Sequence, residues 1–76
     1  MELNILEKLY KELEIEYSKE QVKEDIMAEW LTMKIDKNGK AYWWYLDNAK
    51  NMAIEIDTGK IIEDANEIDN LFFKGV

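Results

Sequence analysis

The chain has 76 residues and a formal net charge of −7, and its basic residues are all lysines, with no histidine, cysteine or proline. The absence of cysteine and histidine excludes disulfides, zinc fingers and the usual neutral-pH general base. The absence of arginine removes the side chain that binds phosphate or guanine in a bidentate manner. We therefore expect no catalytic residue, no cofactor and no metal site, and we predict that the protein is not an enzyme.

The charge is unevenly distributed along the chain. Residues 1–29 hold four lysines against nine acids, residues 30–60 five against four, and residues 61–76 one against four. This pattern predicts an acidic helical part beside a nearly neutral sheet, which would be repelled by nucleic acid and by anionic lipid. We expect a basic protein partner, and no direct contact with nucleic acid or membrane. The longest apolar run covers residues 41–46, so we expect neither a signal peptide nor a transmembrane helix, and a cytoplasmic location.

Two helices are predicted in the first 29 residues. Apolar residues at three- and four-residue spacing predict an amphipathic helix over residues 2–17. Ser18 followed by Gln21 forms a capping-box pattern, which starts a second helix that continues through Ile26 and Met27. We place the change from helix to strand near Trp30.

A hairpin is predicted around the dipeptide Asn38-Gly39. Both residues tolerate positive φ, which suits a two-residue type I′ turn between strands. This turn places Met33 opposite Trp44. One face of the sheet then collects the apolar side chains of the core, which are Leu31, Met33, Ile35, Tyr42, Trp44, Leu46, Met52, Ile54, Ile56 and Ile61.

The remaining elements follow from two further turns and a cap. A five-residue loop over 47–51 is favoured over a four-residue one, because the shorter loop would place Glu55 on the core face. The next turn opposes Asp57 and Lys60 as a cross-strand ion pair. Asp64, with a glutamate three residues later, caps a short third helix.

These elements predict an α+β fold. One or two N-terminal helices pack on a three- to four-stranded antiparallel meander, and a short helix follows. We assign residues 1–76 to a single domain, with a helical part over 2–29, the sheet over 31–63 and the short helix over 65–74.

A partner-binding surface is predicted on the second face of the sheet. Strand alternation points Trp43 and Tyr45 away from the core face, together with Lys34, Glu55 and Ile62. Tyrosine and tryptophan surrounded by charges are typical anchors of protein interfaces. The alternative is that the C-terminal helix covers these aromatic side chains.

The functional prediction is a small acidic protein-binding module. An inhibitor or immunity factor that occupies a basic nucleic-acid-binding protein fits the charge, because carboxylates along the helices over residues 12–24 resemble a phosphate backbone. The alternative reading of these carboxylates is a solvated helix face. The composition is rich in lysine, isoleucine and asparagine, which is typical of AT-rich bacterial or phage genomes. The alternative function is a homo-oligomeric structural or regulatory protein without catalytic activity, such as a homodimer. In that case the same aromatic side chains, or the apolar stripe from Leu3 to Tyr17, face a second copy.

Overall fold

Three helices and four strands follow one another in the predicted order. The computed structural model describes residues 4–73. Its elements are α1 (Ile5–Leu13), α2 (Lys19–Met27), β1 (Leu31–Ile35), β2 (Ala41–Leu46), β3 (Asn51–Glu55), β4 (Ile61–Ile62) and α3 (Ala65–Phe72). The strands form one antiparallel sheet in the order β1-β2-β3-β4. The predicted α+β architecture is therefore confirmed.

Side-chain caps begin all three helices. The Asn4 side chain accepts from the backbone N–H of Glu7, and Asp64 accepts from the N–H groups of residues 66 and 67. Ser18 Oγ accepts from the N–H of Gln21 at 3.0 Å, as the capping pattern predicted. Each cap satisfies backbone donors that the first helical turn leaves free.

The first helix ends earlier than predicted. Glu14 takes the left-handed conformation with φ of 62°, and the Ile15 N–H donates back to the Tyr10 carbonyl. These bonds satisfy the last carbonyls of α1 and turn the chain out of the helix. Ile15 and Tyr17 therefore pack against the core from an extended segment and not from a helix. The predicted helical residues 2 and 3 lie outside the described part of the chain.

The predicted register of the β1–β2 hairpin is wrong by one residue. Asp36 Oδ1 accepts from the N–H groups of Asn38 at 2.8 Å and Lys40 at 3.0 Å. Gly39 has a φ of 86°, whereas Asn38 does not take a positive φ. The result is a three-residue loop of a type I turn followed by a left-handed residue, not a type I′ turn. Met33 consequently pairs with Trp43 and not with Trp44.

The other two turns also differ from the prediction. Leu46 pairs with Asn51, so the loop between β2 and β3 has four residues and not five. Ile54 pairs with Ile61, and the N–H of Glu55 donates to the Lys60 carbonyl. The predicted ion pair between Asp57 and Lys60 is therefore wrong, because Lys60 lies opposite Glu55.

The sheet has an apolar core on each face. The core beneath α1 and α2 contains the buried residues Leu9, Tyr10, Leu13, Leu31, Tyr45, Met52 and Ile54. The core beneath α3 contains the buried residues Tyr42, Trp44, Ala53, Ile62 and Ile68. Three layers result, with the sheet in the middle.

This arrangement corrects the predicted core face. Tyr42 and Trp44 are buried, but under α3, on the face opposite to Leu31 and Ile54. Met33, Ile35 and Leu46 were expected in the core and are exposed. A shift of one residue exchanges the two faces of β2, which accounts for the positions of Tyr42, Trp44 and Leu46. Met33 and Ile35 stay on the face of Leu31 but are not covered there.

Candidate protein-binding surface

The second helix has an inverted distribution of polar and apolar side chains. Its one buried residue is Asp25, with 2% of its surface exposed. The next two residues, Ile26 and Met27, are 44% and 77% exposed. Buried carboxyl groups and exposed large apolar groups are the informative exceptions in a folded protein. Both occur here in three consecutive residues.

Hydrogen bonds to Asp25 explain this orientation. The Tyr10 hydroxyl donates to Oδ2 at 2.5 Å, and the Gln21 amide donates to Oδ1 at 3.0 Å. Burial and the hydrogen bond to Asp25 raise the pKa of Tyr10, so its hydroxyl stays protonated and remains a donor at neutral pH. These bonds hold Asp25 against the core and thereby turn Ile26 and Met27 outward.

The chain around this network supports the same geometry. The Ser18 cap places Gln21 one turn before Asp25, within reach of its carboxyl group. At the other end, Glu29 has a φ of 66°, and the Trp30 N–H donates to the Asp25 carbonyl at 2.9 Å. The Trp30 side chain is exposed. Both the backbone carbonyl and the side chain of Asp25 thus accept hydrogen bonds.

Exposed apolar side chains are concentrated in one short segment. Within residues 4–73, seven large apolar side chains are exposed, and five of them lie within residues 26–35. The five are Ile26, Met27, Trp30, Met33 and Ile35. This segment forms the end of α2, the connection that follows it and the edge strand β1.

Acidic side chains surround the helical part of this segment. Glu20, Glu24 and Glu29 are all exposed. One ion pair is present within residues 4–73, and it joins Lys40 to Glu55. Glu20 and Glu24 of α2 are therefore not paired with any lysine in this part of the chain. The surface therefore combines exposed apolar side chains with exposed carboxylates.

The five residues predicted to bind a partner do not form one surface. Trp43 and Tyr45 point towards α1 and α2, whereas Lys34, Glu55 and Ile62 lie on the face that α3 covers. Tyr45, Glu55 and Ile62 are buried, and the other two are partly exposed. A binding role for the set stays a prediction, but the register that grouped it is wrong.

Two of these five residues, Tyr45 and Glu55, have polar partners inside the fold. The Tyr45 hydroxyl donates to Asp47 at 2.8 Å, and burial together with this bond raises its pKa. Glu55 Oε2 lies 3.5 Å from Lys40 Nζ, and Oε1 accepts from the Thr58 hydroxyl. Glu55 is thus compatible with a buried position, which the loop-length prediction had excluded.

The contact between Asp25 and Tyr10 was not predicted from the sequence. The available signal was the spacing of Asp25, which lies three residues after the inward-facing Val22. Residues at this spacing share a helix face, so an aspartate there enters the core and needs a donor. Which residue supplies that donor depends on how α1 crosses α2, and the pattern within α2 does not contain this information.

Within residues 4–73, no group of three or more acidic side chains is arranged to hold a metal ion. No helix in the same range is long and apolar enough to cross a membrane. No known protein family, curated protein or solved structure matches the chain.

Proposed function

We propose that this chain is a protein-binding module without catalytic activity, and that it binds its partner through the outward side of α2. This α2 surface consists of Ile26, Met27 and Trp30 with the carboxylates of Glu24 and Glu29. The observation that carries the proposal is the inverted helix, which buries Asp25 and exposes Ile26 and Met27.

The side-chain types of the α2 surface fit a protein partner. Adjacent exposed isoleucine, methionine and tryptophan side chains gain free energy when another protein removes them from water. Methionine and tryptophan are enriched at interfaces, and tryptophan is a frequent energetic anchor. Ion-pair energies are small at exposed sites, so the apolar side chains supply most of the affinity.

The charge of the α2 surface favours a basic partner. Glu20, Glu24 and Glu29 are exposed beside the apolar group, and the whole chain carries −7. Complementary charge at the edge of an interface accelerates association and discriminates against acidic competitors. A basic nucleic-acid-binding protein has this chemistry, so the chain would act as an inhibitor or immunity factor by occupying it.

Capture from a lysate of the native host tests the proposal. The tagged chain should retain a protein that the double variant Ile26→Ser with Met27→Ser loses by tenfold or more. Leu46→Ser is the matched control, because Leu46 is exposed to the same extent as Ile26 and lies on β2. Circular dichroism checks that each variant is folded. If both variants retain the same proteins, the α2 surface is not the binding site.

Salt dependence tests the basic partner. The association rate measured with the captured protein should fall markedly between low and physiological salt, because charges are screened over about 8–10 Å there. A rate that ignores salt would contradict a basic partner while leaving the apolar contact in place.

A further inference from the structure

The dipeptide Asn38-Gly39 can react with itself. Asparagine is chemically labile, because the backbone nitrogen of the next residue can attack its side-chain amide carbon, and a side chain on that next residue hinders the attack. Gly39 has no side chain, and no atom of residues 4–73 lies within 4 Å of the place where a Cβ would stand. The chain has six asparagines, and Asn38 is the one that a glycine follows. Its attacking nitrogen is therefore the least hindered.

The dipeptide lies where water reaches it. Asn38 and Gly39 are both exposed, in the loop between β1 and β2. A second exposed asparagine, Asn48, lies in the loop between β2 and β3 and is followed by Ala49. Asn48 thus provides an internal comparison in which the attacking residue carries a side chain.

Hydrogen bonds to Asp36 hold the turn closed around this dipeptide. The Gly39 N–H, whose nitrogen would attack, donates to the Asp36 carbonyl at 3.0 Å. Asp36 Oδ1 accepts from the N–H groups of Asn38 and Lys40, and Oδ2 accepts from the Tyr42 hydroxyl at 3.0 Å. The nitrogen must lose its proton before it attacks, so its bond to the Asp36 carbonyl has to break first. The reaction consequently needs a local opening of the turn, which Asp36 opposes.

We propose that Asn38 is a site of spontaneous covalent modification, at which the chain forms aspartate and isoaspartate through a succinimide, and that Asp36 limits the rate by holding the turn closed. The Gly39 nitrogen loses its proton to hydroxide and bonds to Cγ of Asn38, and the side-chain amide nitrogen leaves as ammonia. Water then opens the succinimide ring. Breaking the bond between the nitrogen and Cγ gives aspartate, and breaking the bond between the nitrogen and the main-chain carbonyl carbon gives isoaspartate. No atom is oxidised or reduced.

The product differs from the original turn in charge and in backbone length. Either product adds one negative charge to the −7 of the chain, close to the carboxylate of Asp36. Isoaspartate also inserts one more backbone atom between Asp36 and Lys40, so that Asp36 Oδ1 no longer reaches both of the N–H groups that it binds in the original turn. The conversion therefore loosens the end of the hairpin from which Lys40 pairs with Glu55.

Peptide mass spectrometry of the aged full chain tests the site. Cleavage after glutamate releases residues 30–55 as one peptide, which contains both Asn38 and Asn48. At mildly alkaline pH, Asn38 should be converted about tenfold faster than Asn48 in the folded chain. Gly39→Ala should slow the conversion of Asn38 although it strains the turn, because the added methyl group hinders the nitrogen.

The nature of the product tests the chemistry. An isoaspartyl methyltransferase should label the aged chain, because ring opening gives isoaspartate, whereas direct hydrolysis of the amide gives aspartate alone. Equal rates at Asn38 and Asn48, or conversion without isoaspartate, overturns the modification site.

Two aspartate variants test the role of Asp36. Asp36→Ala removes the acceptor of two backbone hydrogen bonds and should speed the conversion of Asn38 about tenfold or more, while Asn48 keeps its rate. Asp47→Ala is the matched control, since Asp47 Oδ1 likewise accepts from the N–H groups of residues 49 and 50. It should leave the rate at Asn38 unchanged. An Asp36→Ala chain that reacts as slowly as the unmodified one overturns the role of Asp36.

A milder pair of variants decides the matter if circular dichroism shows that Asp36→Ala is unfolded. Tyr42→Phe removes the hydroxyl that donates to Asp36 and should speed the conversion of Asn38 about fivefold. Tyr45→Phe removes the equivalent hydroxyl, which donates to Asp47, and should leave that rate unchanged. Equal rates at Asn38 in these two folded variants show that Asp36 does not control the turn.

Discussion

Replacing Tyr10 by phenylalanine tests whether one hydrogen bond determines the orientation of α2. The substitution keeps the ring, which contacts Tyr17 and Tyr45 with centroid distances of 5.7 and 6.1 Å. It removes the hydroxyl group that donates to Asp25, whose carboxyl group is left with the Gln21 side chain. A hydrogen bond to a charged group contributes about 1.5–3 kcal/mol, and a buried group that loses its donor lies towards the upper end. We expect Tyr10→Phe to lower the free energy of unfolding by about 2–3 kcal/mol.

Tyr45→Phe is the matched control. It deletes the same hydroxyl group from a buried tyrosine, but the acceptor, Asp47, is partly exposed and also accepts from the N–H groups of residues 49 and 50. Water and these donors replace the lost bond, so the expected cost is about 0.5–1.5 kcal/mol. Combining Tyr10→Phe with Asp25→Leu should recover part of the loss, because an apolar pair leaves no buried polar group unpaired.

Urea unfolding followed by far-ultraviolet circular dichroism measures these differences. A domain of this size has a total free energy of unfolding of about 4–11 kcal/mol, so the expected loss shifts the midpoint clearly. If Tyr10→Phe costs no more than Tyr45→Phe, the Asp25 bond does not hold α2. The outward position of Ile26 and Met27 would then need another cause.

Three further predictions concern pH and backbone strain. The pKa of Tyr42 is raised from 10.0 to about 12, chiefly by burial, and those of Tyr10 and Tyr45 are also raised. As the pH rises, the tyrosine hydroxyls of the unfolded chain therefore lose their protons before those of the folded chain. Above pH 10 the free energy of unfolding should fall by up to about 1.4 kcal/mol per pH unit for each tyrosine. Urea titrations at several pH values should show a shallower fall for Tyr10→Phe. The pKa of Asp36 is lowered from 3.8, chiefly by the hydrogen bond from the backbone N–H of Lys40. The ionised Asp36 therefore contributes its full stabilisation of the fold above pH 3.8, and this contribution is lost as the pH falls below that value. Acid unfolding of Asp36→Asn should lack this pH-dependent loss. Gly59 has a φ of 76°, and an added Cβ would lie 3.3 Å from Lys8 Nζ, so Gly59→Ala should cost about 1–2 kcal/mol in urea unfolding; Gly39→Ala, with a φ of 86° and open space, should cost less. Equal losses of unfolding free energy for the two variants would show that the Lys8 side chain moves away from the added Cβ without cost.

Local signals in the sequence determined the elements and the fold class. Ser18 and Asp64 mark helix starts because each can satisfy backbone donors within three residues, which needs no distant contact. The turn near Asn38-Gly39 was located correctly for a similar reason, since Gly39 adopts a positive φ at little cost. The order of helices and strands follows from these positions.

The tertiary structure decided the register, and with it which side chains are exposed. Asp36 accepts two backbone N–H groups and lengthens the first turn by one residue, which reverses the faces of β1 relative to β2. The run of residues 41–46 could not reveal this, because helices cover both faces of the sheet and apolar side chains are suitable on either side. The burial of Glu55 is accompanied by an ion pair with Lys40, which lies in the loop between β1 and β2.

The candidate site could not be predicted from sequence patterns for the same reason. Asp25 is accommodated in the core by the Tyr10 hydroxyl on α1, which lies 2.5 Å away, together with the Gln21 amide on α2. That contact turns Ile26 and Met27 to the surface, although their composition alone favours burial. The sequence by itself therefore determined where each element begins and ends to within a few residues. How the elements face one another was decided by side-chain hydrogen bonds that form only when distant segments meet.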